Sequence, residues 1–179
     1  MKPVLAELAA AQTKADLQKL QLKYADWGLG VDYGSYFAAD EKNVTMNIFN
    51  VLQGGLTLGA KDYYLNNDAA TVAIREAYKK YIAKMFQLYG FSAADAQKKA
   101  EKVFLHETNL ALISKSRTEL RDPQANYNKM TLKEFKQNYP NIPLEALANA
   151  EGIKSEYIQQ MVVGQPEFLA GYDKISAAE

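Results

Sequence analysis

Residues 69–89 read AATVAIREAYKKYIAKMFQLY, and after Gly90-Phe91 the chain runs on from Ser92 as SAADAQKKAEKVFLHETNLALISKS to 116. Ile74, Tyr78, Tyr81, Ile82, Met85 and Leu88 recur at spacings of three and four, the period of a helix face. Gly90 sits where a left-handed C-terminal residue is needed. Ser92 with Asp95 supplies the next N-cap, so a second long helix is expected to about Ser116. The short link makes these two an antiparallel helical hairpin.

The rest of the chain is organised around that pair. Pro3 suits the first turn of a short helix running to about Ala11. Thr13 and Asp16 form an acidic version of the capping box. They start a helix with Leu17, Leu20 and Tyr24 on one face, ending near Gly28. Gly30, Gly34 and the alternation over Tyr33–Ala39 predict a strand. Asp40-Glu41-Lys42-Asn43 is a polar turn, and Val44–Leu52 alternates again, which makes a β-hairpin. Thr131 with Glu134 caps a short helix that ends before Pro140, and Pro143 starts another to about Ala150. Tyr157–Val163 is a candidate strand, and Pro166 opens a last helix through Phe168 and Tyr172. The fold class is therefore mainly α: a long antiparallel helix pair with a small β-hairpin, read as one mostly helical region over 1–179.

Composition excludes several classes. Lys+Arg and Asp+Glu are both 21, so there is no basic surplus for neutralising phosphates, and no nucleic-acid partner is expected. Lys79, Lys80 and Lys84 lie on a helix with Glu76 one turn before Lys80, which reads as a solvated face. The absence of cysteine removes disulfides and thiolate zinc sites. No stretch approaches the ~20 apolar residues of a membrane span. Met1 directly precedes a helical pattern without a basic-apolar leader, and the chain does not fix its own compartment. The 12 tyrosines suit half-wet positions, at helix edges or facing a cavity or another domain.

Two loops hold the candidate site residues. Residues 53–65, Gln-Gly-Gly-Leu-Thr-Leu-Gly-Ala-Lys-Asp-Tyr-Tyr-Leu, contain Gln53, Gly54, Gly55, Asp62, Tyr63 and Tyr64. The loop is glycine-rich but has no phosphate-binding spacing; its glycines serve close chain approach or positive φ. Residues 121–131, Arg-Asp-Pro-Gln-Ala-Asn-Tyr-Asn-Lys-Met-Thr, contain Arg121, Asp122, Tyr127 and Asn128. Asp122 before Pro123 favours a turn and a cap for a short helix that Pro123 starts. His106-Glu107 has the start of a zinc motif, but position 110 is Leu, so the second imidazole is missing. Glu107 lies within the apolar stripe Ala96, Ala100, Val103, Phe104, Leu110 and Ala111. A buried acid there needs a partner, with Arg75, Arg117 and Arg121 as candidates. It reads as a buried structural acid, the alternative being an acid of raised pKa lining a pocket.

Taken in order, Ala15–Leu20, Asp40–Asn43, the 53–65 and 121–131 motifs and Pro166-Glu167-Phe168-Leu169 resemble the amino-terminal, non-catalytic region of the neprilysin and endothelin-converting-enzyme family of zinc metallopeptidases. The bacterial PepO oligopeptidases are members. Gly59-Ala60 departs from the proline-like turn more usual there. The resemblance implies a largely helical region that faces a zinc domain across a substrate cavity. It implies no catalytic residue, no metal ligand and no cofactor in this chain, and zinc in the parent protein. The implied partners are the catalytic zinc domain of the same chain and the parent's peptide substrates. An exported parent, periplasmic or at the cell surface, fits it. The candidate residues above become cavity or interdomain contacts on this reading. The alternative is a stand-alone helical module that binds peptides or a protein partner.

Overall fold

The periodic segment 69–89 is a helix over Ala69–Tyr89 (α4), in a computed structural model that describes residues 2–27 and 32–178. The Asp68 carboxylate accepts from the Thr71 N–H at its start, and Gly90 ends it at φ 113°. Its partner helix, α5, covers Ala93–Ile113, with the Ser92 hydroxyl accepting from the Asp95 N–H. Both starts are therefore capped by local side chains and the α4 end by a left-handed glycine, none of which needs a tertiary contact.

The described residues form two compact units. One comprises residues up to Gly54 together with those from Gln124 onward; the other is Gly55–Pro123.

The second unit consists of a short helix, α3 (Asp62–Leu65), the α4–α5 pair and a 3-10 turn over Glu119–Arg121. Ala96 and Ala100 of α5 are fully buried against Ile82 and Ala83 of α4, with Tyr78, Phe86, Phe91 and Val103 around them. The alanines are what allow the two helix backbones to approach. The α5 stripe read from sequence includes the buried positions Ala96, Ala100, Glu107, Leu110 and Ala111. On α4 the sequence reading needs correction. Of its six stripe residues only Ile82 is buried and Tyr78 partly so. Ile74 is 39% exposed, Met85 50%, Tyr81 60% and Leu88 70%. The helix turns the Tyr78–Ile82–Phe86 row to its partner and leaves Ile74, Tyr81, Met85 and Leu88 open.

The first unit holds α1 (Lys2–Ala10), α2 (Lys14–Lys23), β1 (Tyr33–Asp40), β2 (Asn43–Gln53), β3 (Asn128–Thr131), α6 (Leu132–Asn138), α7 (Leu144–Ala150), β4 (Gln160–Val163) and α8 (Pro166–Ala178). The Thr13–Asp16 and Thr131–Glu134 capping boxes both form. Gly28 and Gly30, read as a helix end and a strand residue, lie outside the described residues.

The expected hairpin is half of a mixed four-stranded sheet of order β1-β2-β4-β3. β2 pairs antiparallel with β1 and parallel with β4, placing Phe49 opposite Met161 and Val51 opposite Val163. β3, read from sequence as loop, pairs antiparallel with β4. The predicted strand over 157–163 begins as a 3-10 turn at Ser155–Ile158 and becomes extended only from Gln160. Likewise Pro123 opens a turn over 123–126, not a helix. The core comprises Phe49, Val51, Phe135, Met161, Val163 and Phe168, all 1% exposed or less. Burying such a side chain fully contributes about 1.5–3 kcal/mol. Alternation on β2 misplaces its outer end: Val44 and Met46 are exposed, because β4 covers β2 only over residues 49–51.

Candidate functional site

In the first unit the ends of two sequence motifs meet. The strand carrying Val51 continues to Gln53, whose N–H donates to Gln165 Oε1 at 2.8 Å. Gln165 is buried, and its Nε2 donates to Asn126 Oδ1 at 3.0 Å. Asn128 Nδ2 donates to the Val163 carbonyl at 3.1 Å and the Ala125 carbonyl at 3.2 Å. The Gly164 N–H donates to the Val51 carbonyl at 2.8 Å. Gln53, Asn126 and Asn128 are thus fastened through Gly164-Gln165, just beyond β4. Gly54 completes the node by size: a Cβ there would lie 3.1 Å from the Tyr33 Cα and carbonyl carbon, and 3.2 Å from the Gly34 nitrogen.

Tyr127 takes part in a different cluster. Its hydroxyl donates to Asp40 Oδ1 at 2.7 Å, while Lys129 Nζ donates to Oδ2 at 2.9 Å. The Lys42 N–H donates to Oδ1 at 2.9 Å, and the Lys42 ammonium sits 4.3 Å from the centre of the Tyr127 ring. Asp40, 3% exposed at the β1–β2 turn, is the organising group. The Lys129 contact first, then the Tyr127 hydroxyl and the Lys42 amide, holds its carboxyl down at about 2. Donation to Asp40 in turn pushes the Tyr127 hydroxyl up to about 12.

A pH dependence follows. The folded pKa of Asp40 lies below its ordinary 3.8, so its contribution to stability is complete above about pH 4 and lost as pH falls toward 2. Urea midpoints of wild type and Asp40→Asn are expected to differ near neutrality and to converge between pH 4 and pH 2. A difference that stays constant over that interval would show that the charge of Asp40 contributes nothing.

The second unit holds Gly55, Asp62, Tyr63, Tyr64, Arg121 and Asp122. Glu107, 7% exposed, accepts three hydroxyls: Thr57 at 2.7 Å, Tyr78 at 2.8 Å and Tyr64 at 2.5 Å. The Tyr64 oxygen accepts the Leu58 N–H at 3.0 Å, and its ring stacks on Phe104 with centroids 5.6 Å apart. Burial first, then donation to Glu107, pushes the Tyr64 hydroxyl above its usual range; burial pushes Tyr78 up to about 12. Two of the three expected arginine partners have other contacts. Arg75 Nη1 donates to the carbonyls of Tyr64 at 3.1 Å and Asn66, and the Arg117 guanidinium lies 5.9 Å from the Tyr63 ring centre. Gly55 takes φ 75°, which explains its residue type. Asp62 starts α3, and Arg121 and Asp122 are exposed around the 3-10 turn.

This arrangement ties loops to helices and presents no converging set of reactive groups. Among the described residues, no three His, Cys, Asp or Glu side chains are placed to hold a metal ion. With one histidine and no cysteine, the sequence lacks the donors for a two-histidine or thiolate zinc site. No described helix is long and apolar enough to cross a membrane. Sequence reasoning missed Asp40, Gln165, Thr57 and Tyr78 as network members. The buried position of Glu107 signalled only that a partner was needed, and the sequence reading looked for it among arginines where hydroxyls serve.

The amino-terminal profile of peptidase family M13 matches residues 1–179. The chain belongs to peptidase family M13. An endothelin-converting enzyme homolog from Locusta migratoria is 31% identical over 157 residues, 86% of this chain and 21% of that protein. Endothelin-converting enzyme 1 of Rattus norvegicus is 28% identical over 156 residues, 87% of this chain and 20% of that protein. The M13 chain thus spans about a fifth of the length of these relatives. Among solved structures, the zinc metalloprotease Zmp1 of Mycobacterium tuberculosis in complex with an inhibitor superimposes with a TM-score of 0.89. It is 26% identical, and the match covers 99% of this chain and 27% of that one. PepO from Lactobacillus rhamnosis HN001 shares the fold at a TM-score of 0.73 and 18% identity, with 98% and 29% covered. The family reading and the mainly α architecture taken from sequence both hold.

Proposed function

We propose that this chain is the non-catalytic cap region of a longer zinc metalloendopeptidase that cleaves peptides, lining its substrate cavity and contacting its catalytic domain. The observation that carries the reading is the profile match over residues 1–179 of a chain that spans only about a fifth of its relatives. Both units belong to that one cap region. The candidates Gln53, Gly54, Gly55, Asp62, Tyr63, Tyr64, Arg121, Asp122, Tyr127 and Asn128 fall into two roles. Gln53, Gly54, Gly55, Tyr64, Tyr127 and Asn128 hold the scaffold; Tyr63 and the exposed Asp62, Arg121 and Asp122 make the contacts. Zinc and the general base come from the rest of the parent.

The test is to read the open reading frame beyond Glu179 and to assay its complete product on a quenched peptide. The expected outcome is an in-frame His-Glu-x-x-His, hydrolysis lost on chelation and restored by zinc, and no hydrolysis by the 179-residue chain. Hydrolysis by the short chain would overturn the non-catalytic role. A frame closing at Glu179 would leave a stand-alone binding module in its place.

A further inference from the structure

The misplaced stripe on α4 has a definite geometry. Ile74, Tyr81, Met85 and Leu88 are separated by 7, 4 and 3 residues, the 4-3 alternation with the α5-facing Tyr78 passed over, which keeps a seam straight along a second helix. Scattered exposed apolar residues need no explanation, but four large ones aligned on one helix face do. α5 does not cover them: it takes the Tyr78–Ile82–Phe86 row, and Ile74, Tyr81, Met85 and Leu88 remain 39–70% exposed. By helical rotation Lys84 borders the seam on the side away from α5, next to Leu88, and is exposed.

We propose that this seam is the seat of an amphipathic α-helix from the remainder of the same polypeptide, packed nearly parallel or antiparallel to α4 with an acidic residue facing Lys84. The inference rests on the reading that the chain is part of a longer protein. The 4-3 spacing selects a helix as occupant, since a strand or loop does not match a 3.5-residue repeat over four turns. Size selects an intramolecular one. From Ile74 to Leu88 is about 21 Å of helix, so a strip about 10 Å wide gives a footprint of roughly 200 Å². Separate chains need about 800 Å² per partner to associate stably. A tethered helix does not meet the entropy cost of bringing two molecules together, and a strip of this size suffices for it.

The experiment uses the complete polypeptide with Leu88→Cys, and in a second protein Met85→Cys; residues 1–179 contain no other cysteine. Maleimide labelling at the introduced thiol is followed by peptide mass spectrometry, native and in urea. The seam predicts labelling at least tenfold slower in the native protein, unchanged by hundredfold dilution. A native rate less than tenfold below the unfolded one at both positions overturns the proposal. So does protection that disappears on dilution, which would identify a second copy as the occupant. Zinc-dependent hydrolysis with an open seam removes this inference alone; a protected seam without hydrolysis removes the peptidase reading and leaves the docked helix.

Discussion

Glu107→Ala is expected to destabilise the chain by about 4 kcal/mol, the largest effect of any single substitution considered. Glu107 accepts hydroxyls from Thr57, Tyr64 and Tyr78, and Tyr64 is itself buried. Truncation removes a charged acceptor of three bonds and leaves donors without a partner. A hydrogen bond to a charged group contributes about 1.5–3 kcal/mol, and an orphaned buried donor costs about 1–3 kcal/mol. The cavity left in the stripe beside Ala111 and Leu110 adds to this. Glu107→Gln keeps the shape, and tyrosine hydroxyls rotate to accept from an amide, so its cost is expected near 1 kcal/mol. Urea unfolding followed by circular dichroism at 222 nm reads the helices α4 and α5. Equal, small losses for both variants would show that the carboxylate is dispensable to the unit.

Gly54→Val is expected to be the second large effect, about 3 kcal/mol. A Cβ at 54 meets main-chain atoms of Tyr33 and Gly34 at 3.1–3.2 Å, not the flexible end of a side chain. Those atoms belong to β1, where Tyr33 pairs with Gln53 and Gly34 with Leu52, so they cannot retreat without opening the ladder. Overpacking of this kind costs about 1–3 kcal/mol for added methylenes, and a branched side chain lies at the upper end. Gly54→Ala is expected to lose about half as much. The midpoint followed by fluorescence of Trp27, the single tryptophan, is the readout. An unchanged midpoint for Gly54→Val would mean that the β1–β2 ladder yields at its open end.

How legible each feature was depends on the range of the interaction behind it. Asp68, Gly90, Ser92, Thr13 and Thr131 act on backbone within four residues, so the helix starts and stops they govern were readable or lay within a residue or two of the reading. The hairpin turn at 40–43 is equally local. β3 was missed because four residues, Asn-Lys-Met-Thr, have no alternation to show; they are extended because Met130 finds Met161 across the ladder. Gln165 was missed for the same reason: its two partners lie 112 and 39 residues away.

Sequence by itself determined the long helix pair, the capped helix starts, the β1–β2 hairpin, the family through its ordered motifs and the buried place of Glu107 in its stripe. Tertiary structure alone decided the sheet order, the partners of Glu107 and Asp40, and which apolar face of α4 is covered. A 3.6-residue period says that a helix has an apolar arc, but α4 has more apolar surface than one neighbour can cover. Which part of that arc meets α5 depends on where Ala96 and Ala100 let the backbones close, a property of two helices together that neither sequence segment contains alone.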